Sequence, residues 1–180
     1  MDEEFRQKVR NLYRVNRILW FSIFGGVAML LLVGYLFYYM GSIPPRQTSG
    51  ADSLGTIVLI IALILLYVVF HMKRTYLDPK KLVWRAKQKN LQITNVDLAD
   101  FMAQFGERAD VMAKTLILLR RYYMVIWSIA NLITLLGFIE FIITGEVRVL
   151  FVYGLVSVYS LLINYPSFKI IERCYEIING

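Results

Sequence analysis

The sequence predicts an all-α, polytopic membrane protein with four transmembrane helices and a cytosolic helical hairpin between spans two and three. Three observations predict it. First, four apolar runs near 20 residues long, about 18–40, 54–72, 122–144 and 147–165, stand in a chain of 180 residues that is 58% hydrophobic. Second, one long polar and strongly basic segment, 73–121, separates the second run from the third. Third, the charge is lopsided. Segment 1–17 carries five basic and three acidic residues, and 73–121 carries eleven basic and five acidic. The other two connections hold one Arg and one acid each, Arg46 with Asp52 and Arg148 with Glu146. By the positive-inside rule, both termini and the middle segment belong to the cytoplasmic side of a plasma (inner) membrane. The even number of spans agrees. The chain reads as one membrane domain, 1–180.

Residues 3–17 place Phe5, Val9, Leu12 and Tyr13 on one helical face. The expectation is a helix lying on the inner leaflet and turning into span one, with docking onto a partner subunit as the alternative. Span one carries no charge. Trp20 and Phe21 at its inner end and Tyr35, Tyr38 and Tyr39 at its outer end fit aromatic belts. The run is too long for a signal-peptide core and no small-residue cleavage site follows it. Gly25, Gly26 and Gly34 offer close approach to a neighbouring backbone without forming GxxxG. The loop 41–53, with two prolines, is expected to be irregular, and Asp52 or Ser53 to cap span two. His71 ends that span as an interfacial polar residue, since the chain has no second His to join it on a metal or haem.

The basic cluster Lys73, Arg74, Lys80, Lys81, Arg85, Lys87 and Lys89 follows, with Asp78 as the sole acid between 73 and 89. Beside a membrane such a cluster attracts anionic head groups, at about 1 kcal/mol per basic residue. It serves equally as a topology signal whose side chains snorkel. Asp78-Pro79 is a cap followed by a first-turn proline. A second helix starts at Thr94 or Asn95, with Asp97 in its first turn, and Gly106 stops or kinks it. From Glu107 the pattern is amphipathic, with Met112, Leu116 and Leu119 on one stripe and Arg120-Arg121 at the water boundary. Nothing breaks the helix before Tyr122, so one helix is expected to run on to Thr144, where Gly145 ends it. The 23 residues 122–144 rise about 34 Å, enough to cross a bilayer.

The turn Thr144-Gly145-Glu146 makes spans three and four antiparallel neighbours. Gly154, Ser157 and Ser160 form the small face expected to meet span three. Pro166 closes span four. Ile170, Cys174, Ile177 and Ile178 give the tail an apolar stripe, with Cys174 buried rather than reactive.

Within the spans Glu140 is the clear ionisable suspect and Asn131 the other polar one. Nine residues apart, they face opposite ways on a straight helix and do not share one site. Glu140 is expected to pair with Arg148 across the outer turn. Asn131, with Thr134 on the same side, is expected to hydrogen-bond a neighbouring helix, worth about 0.6 to 2 kcal/mol.

Around Ser128-Ile129-Ala130-Asn131, Gly137 and Thr144-Gly145 the third span resembles a loose group of uncharacterised bacterial four-span membrane proteins. Those carry a small-residue run with a carboxylate, then a glycine, then Thr-Gly at the outer turn. The run is also similar to the carboxylate-bearing helix of the ATP synthase ring subunit, but Asn131 stands where the acid belongs. The resemblance implies a bacterial inner-membrane setting and no particular activity.

The composition excludes several classes. One cysteine excludes internal disulfides and thiol-pair chemistry, and there is no HExxH, no histidine pair and no clustered acids. No cofactor, no metal and no nucleic acid are expected, nor is enzymatic activity. The leading reading is a non-catalytic subunit or accessory factor of a larger membrane complex, with other membrane subunits or a second copy, and anionic lipids, as partners. The competing reading is a small oligomeric transporter or channel built around span three.

Overall fold

The computed structural model describes residues 3–44, 51–88 and 96–179, and all regular structure among them is helical. The order is α1 (Glu3–Tyr39), α2 (Ala51–Tyr76), α3 (Pro79–Gln88), α4 (Val96–Phe105), α5 (Glu107–Thr144), α6 (Val147–Ile163) and α7 (Lys169–Asn179). Three of these, α1, α5 and the stretch Ser53–Tyr76 of α2, are long and apolar enough to cross a membrane. The apolar α6 is shorter, at 17 residues. On α2 the exposed residues include Ile57, Leu59, Ile60, Leu63 and Ile64. A continuous aliphatic face of that size is stable in lipid and not in water.

Local chemistry sets the helix ends. Asp78 Oδ1 accepts from Lys81 N at 3.1 Å, capping α3 directly before its first-turn proline. Gly106 (φ +68°) and Gly145 (φ +74°) occupy the left-handed region at the α4–α5 and α5–α6 turns, where a side chain is strained. Nothing comparable interrupts Arg121-Tyr122, and α5 is one helix of 38 residues. Since α2 begins at Ala51, Ser53 lies inside it rather than capping it. Asp52, the other expected cap, also lies inside α2, and the cap expected at Thr94 or Asn95 falls outside the described residues.

The chain forms two compact units. One comprises Met1–Leu19, Met72–Val125 and Pro166–Gly180. Its core takes Phe5, Val9 and Tyr13 from α1, Leu82 and Val83 from α3, Phe101 from α4, Met112 and Leu119 from α5, and Ile171 from α7. The Phe5 ring packs against Phe101, Phe105 and Tyr175 at centroid distances of 5.0, 5.1 and 5.3 Å. Helix α3 lies on α7. Polar ties surround this core: Arg6 pairs with Glu172, Gln104 donates to Glu4 at 2.7 Å, and Tyr13 donates to the Ser167 carbonyl at 3.3 Å. These contacts correct the expectation of an N-terminal helix lying on the leaflet. Its apolar stripe is spent on α4 and α7, and residues 3–17 continue into the apolar run without a turn.

The second unit comprises Trp20–His71 and Ile126–Tyr165. Its helices meet where side chains are small. A Cβ on Gly137 of α5 would lie 2.6 Å from Tyr153 Cβ of α6, and Gly34 and Gly154 are closed in the same way by Leu150 and Leu31. Ser157 Oγ donates to the Ala130 carbonyl at 2.5 Å, so the small face of α6 does meet α5. Val58 and Ala62 of α2 pack with Ile133 and Tyr153. Trp20 is buried rather than part of a belt, and its indole N–H donates to the Leu161 carbonyl at 3.0 Å.

Gly137→Ala is expected to destabilise the protein by about 1–3 kcal/mol, because the added methyl group overpacks against Tyr153. Gly26→Ala, with open space around the new Cβ, is expected to be neutral or stabilising by up to about 1 kcal/mol. Thermal unfolding of the two variants in one detergent checks the contrast. Equal melting temperatures would refute the tight seat at Gly137.

Candidate functional site

The intramembrane polar residues do not converge on one site. Glu140 is 5% exposed, turned inward from α5 toward α2 and α6. Its Oε1 lies against Gly55, where a Cβ would be only 3.1 Å away, and Tyr153 is its neighbouring hydroxyl. Oε2 accepts no hydrogen bond among the described residues. Arg148 is exposed and makes no ion pair there. The expected Glu140–Arg148 pair is therefore corrected. On α6 the inward position belongs to Tyr153, and Arg148, five residues earlier, is rotated about 140° away from it.

Asn131 and Thr134 separate as well. Thr134 is fully buried with its hydroxyl lacking a hydrogen-bond partner among the described residues, whereas Asn131 is exposed on the outer face of α5 together with Ser128. Three residues are about 60° short of a full turn, and the edge of the buried face falls within that gap. Asn131 and Glu140 do face opposite ways.

The basic cluster divides along the two faces of α3. Leu82, Val83 and Ala86 are buried, while Lys80, Lys81, Trp84 and Lys87 are exposed, Lys80, Trp84 and Lys87 forming one stripe. Arg74 is exposed and Lys73 half-buried. Arg85 departs from the expected lipid-facing role. Its guanidinium lies 4.5 Å from the Tyr76 ring and 6.0 Å from that of Tyr122, and Nη1 makes a long hydrogen bond of 3.4 Å to the Thr75 carbonyl. A cation stacked in this way holds α2, α3 and α5 together. Lys89 lies outside the described residues.

Two polar groups, one buried and one half-buried, escape a reading of the sequence by residue type. Asn16 is 1% exposed and accepts from Arg120 Nε at 3.1 Å, while Arg120 Nη2 approaches the Leu12 carbonyl at 3.4 Å. Burial lowers the Arg120 pKa from its ordinary value, and both acceptors are neutral. The signal was periodic: Asn16 continues the Phe5-Val9-Tyr13 stripe, and Arg120 continues Met112 and Leu116. Arg121, one residue on, is exposed.

His71 is exposed and stacks beside Tyr67, with ring centroids 6.2 Å apart. Among the described residues no three His, Cys, Asp or Glu side chains gather as a metal would require. Cys174 is fully buried on α7, and burial, with Asp78 adding to it, pushes its thiol up to about 12. The thiolate is the reactive form and appears only as pH approaches that value. Cys174 is therefore expected to resist maleimide at pH 7 to 8 in the folded chain and to react promptly in denaturant. Mass analysis of the labelled chain checks this, and fast labelling without denaturant would refute it. Comparison of the chain with family models, with curated proteins and with solved structures finds no match.

Proposed function

We propose that this chain is a non-catalytic integral-membrane subunit or accessory factor of a larger membrane protein complex. The observation that carries this reading is the outward position of Asn131 with Ser128 on α5. An amide facing hydrocarbon lacks the hydrogen bonds that water would supply, and a neighbouring transmembrane helix is the usual source of them. The same α5 face carries Met124 and Leu135, which suit helix packing. In this reading α6 is a fourth span, 73–121 is cytosolic with α3 and α4 as its hairpin, and both termini are cytoplasmic, as the distribution of Lys and Arg favours. The bacterial inner-membrane setting implied by the resemblance of the third span belongs to the same proposal. The Lys80-Trp84-Lys87 stripe supports contact with anionic lipid or with a partner's acidic surface.

The second reading, a small oligomeric transporter or channel built around α5, is favoured by the buried Glu140 carboxylate, whose Oε2 accepts no hydrogen bond among the described residues.

Asn131→Leu is expected to weaken assembly while insertion remains intact, visible as faster migration of the complex on a native gel. Unchanged migration would count against the subunit reading. Glu140→Gln is expected to leave proton and ion flux in reconstituted vesicles unchanged; abolished flux would transfer the assignment to transport.

A further inference from the structure

A cavity of about 400 Å³ opens beside the Arg120–Asn16 pair, lined by Lys8, Asn11, Leu12 and Val15 of α1, Asp97, Leu98 and Asp100 of α4, and Arg120. We propose that this cavity binds a phospho-ammonium group, the head of an aminophospholipid such as phosphatidylethanolamine. Three observations lead there. Arg120 is half-buried and has no carboxylate within ion-pair distance among the described residues; its partners are the neutral oxygens of Asn16 and Leu12. A desolvated guanidinium so placed still has donors for a phosphate, and Lys8 adds a second positive charge.

The same lining carries Asp97 and Asp100. They repel a simple anion, and as hydrogen-bond acceptors they suit a primary ammonium, which brings three N–H donors. Two cations and two carboxylates in one cavity match a dipolar ligand better than either ion alone. A choline head donates no hydrogen bond to them, and no aromatic ring among the described residues lines the cavity to hold it.

The third observation is position along the helices. Val15 stands three residues before Ile18 and Arg120 two residues before Tyr122, where the two apolar runs begin. At about 1.5 Å per residue, both cavity positions lie within one helical turn of the hydrocarbon boundary, at the depth of lipid head groups. Arg120, nearer that boundary, is placed for the phosphate. The inference depends on membrane insertion and not on whether α5 meets a partner.

The test titrates the full chain, purified in a mild detergent, with dihexanoyl-phosphatidylethanolamine, -phosphatidylglycerol, -phosphatidylcholine and free O-phosphoethanolamine, reading the thermal shift. The expected order places the ethanolamine lipid at least tenfold tighter than the glycerol and choline lipids, and Arg120→Gln abolishes the difference. Because Arg120 also supports Asn16, the exposed pair Asp97→Asn with Asp100→Asn provides a second arm. It is expected to bring the ethanolamine and glycerol lipids to equal affinity with the fold unchanged. Free O-phosphoethanolamine binding as tightly as the lipid would keep the phospho-ammonium chemistry and assign it to a soluble ligand. Equal binding of all three lipids, preference for phosphatidylglycerol, or an ethanolamine preference that survives in the double variant would overturn the proposal.

Discussion

Tyr153 rests on Gly137 with no room for a methyl group between them, and the second unit depends on that seat. In lipid the hydrophobic effect gives helices no reason to associate, because hydrocarbon surrounds them either way. Close packing and internal hydrogen bonds must supply the attraction. Gly137 lets α6 approach α5 closely, and two consequences follow from the approach. Ser157 comes within reach of the Ala130 carbonyl, and the Tyr153 ring packs with Val58, Ala62 and Ile133 while its hydroxyl faces Glu140. Gly34 against Leu150 and Gly154 against Leu31 repeat the device where α1 joins α6.

The first unit obeys different physics. Its helices are amphipathic, and its centre is an aromatic cluster around Phe5 of the kind that water drives together. Its charges are mostly solvated, so exposed pairs such as Arg6–Glu172 contribute little. The half-buried Arg85 and Arg120 are exceptions that act in different ways. Arg85 spends its charge on the Tyr76 ring and tightens the packing, whereas Arg120 keeps its charge beside a cavity.

Features written in local chemistry were legible in the sequence. Asp78-Pro79, Gly106 and Gly145 each dictate a boundary by backbone geometry alone, and α3, α5 and α6 begin or end there. The unbroken α5 and the small face of α6 follow from periodicity in the same way. What was hidden depended on which neighbour a face would meet. Residues 3–17 present one apolar stripe whether they lie on lipid or on protein, and only the positions of α4 and α7 decide. Asn131 and Thr134 straddle the edge of a buried face, so a small rotation of α5 separates them. Arg85 and Arg120 looked like boundary cations because residue type predicts solvation, yet their register placed both against a core.

Trp20 and Trp127 show how far residue type alone can mislead in a membrane chain. Tryptophan near the end of a span suggests a ring among head groups, but both rings are buried. Their indole N–H groups donate at 3.0 Å to the Leu161 and Asn164 carbonyls. Those carbonyls belong to the last turn and cap of α6; Leu161 also accepts from Asn164 N at 3.2 Å, so the Trp20 bond is its second, while the Asn164 carbonyl lies beyond the reach of the helix's own ladder. The next residues worsen the shortage, because Pro166 has no N–H to offer. Asn164 is 2% exposed, and a buried carbonyl left without a donor costs about 1 to 3 kcal/mol. Trp127 of α5 meets that need at Asn164, and Trp20 of α1 adds a second bond at Leu161, while both rings fill space between helices. An end of α6 capped in this way is tied to both neighbours, so the shortest apolar helix is also held at its carboxyl end by two of the longest.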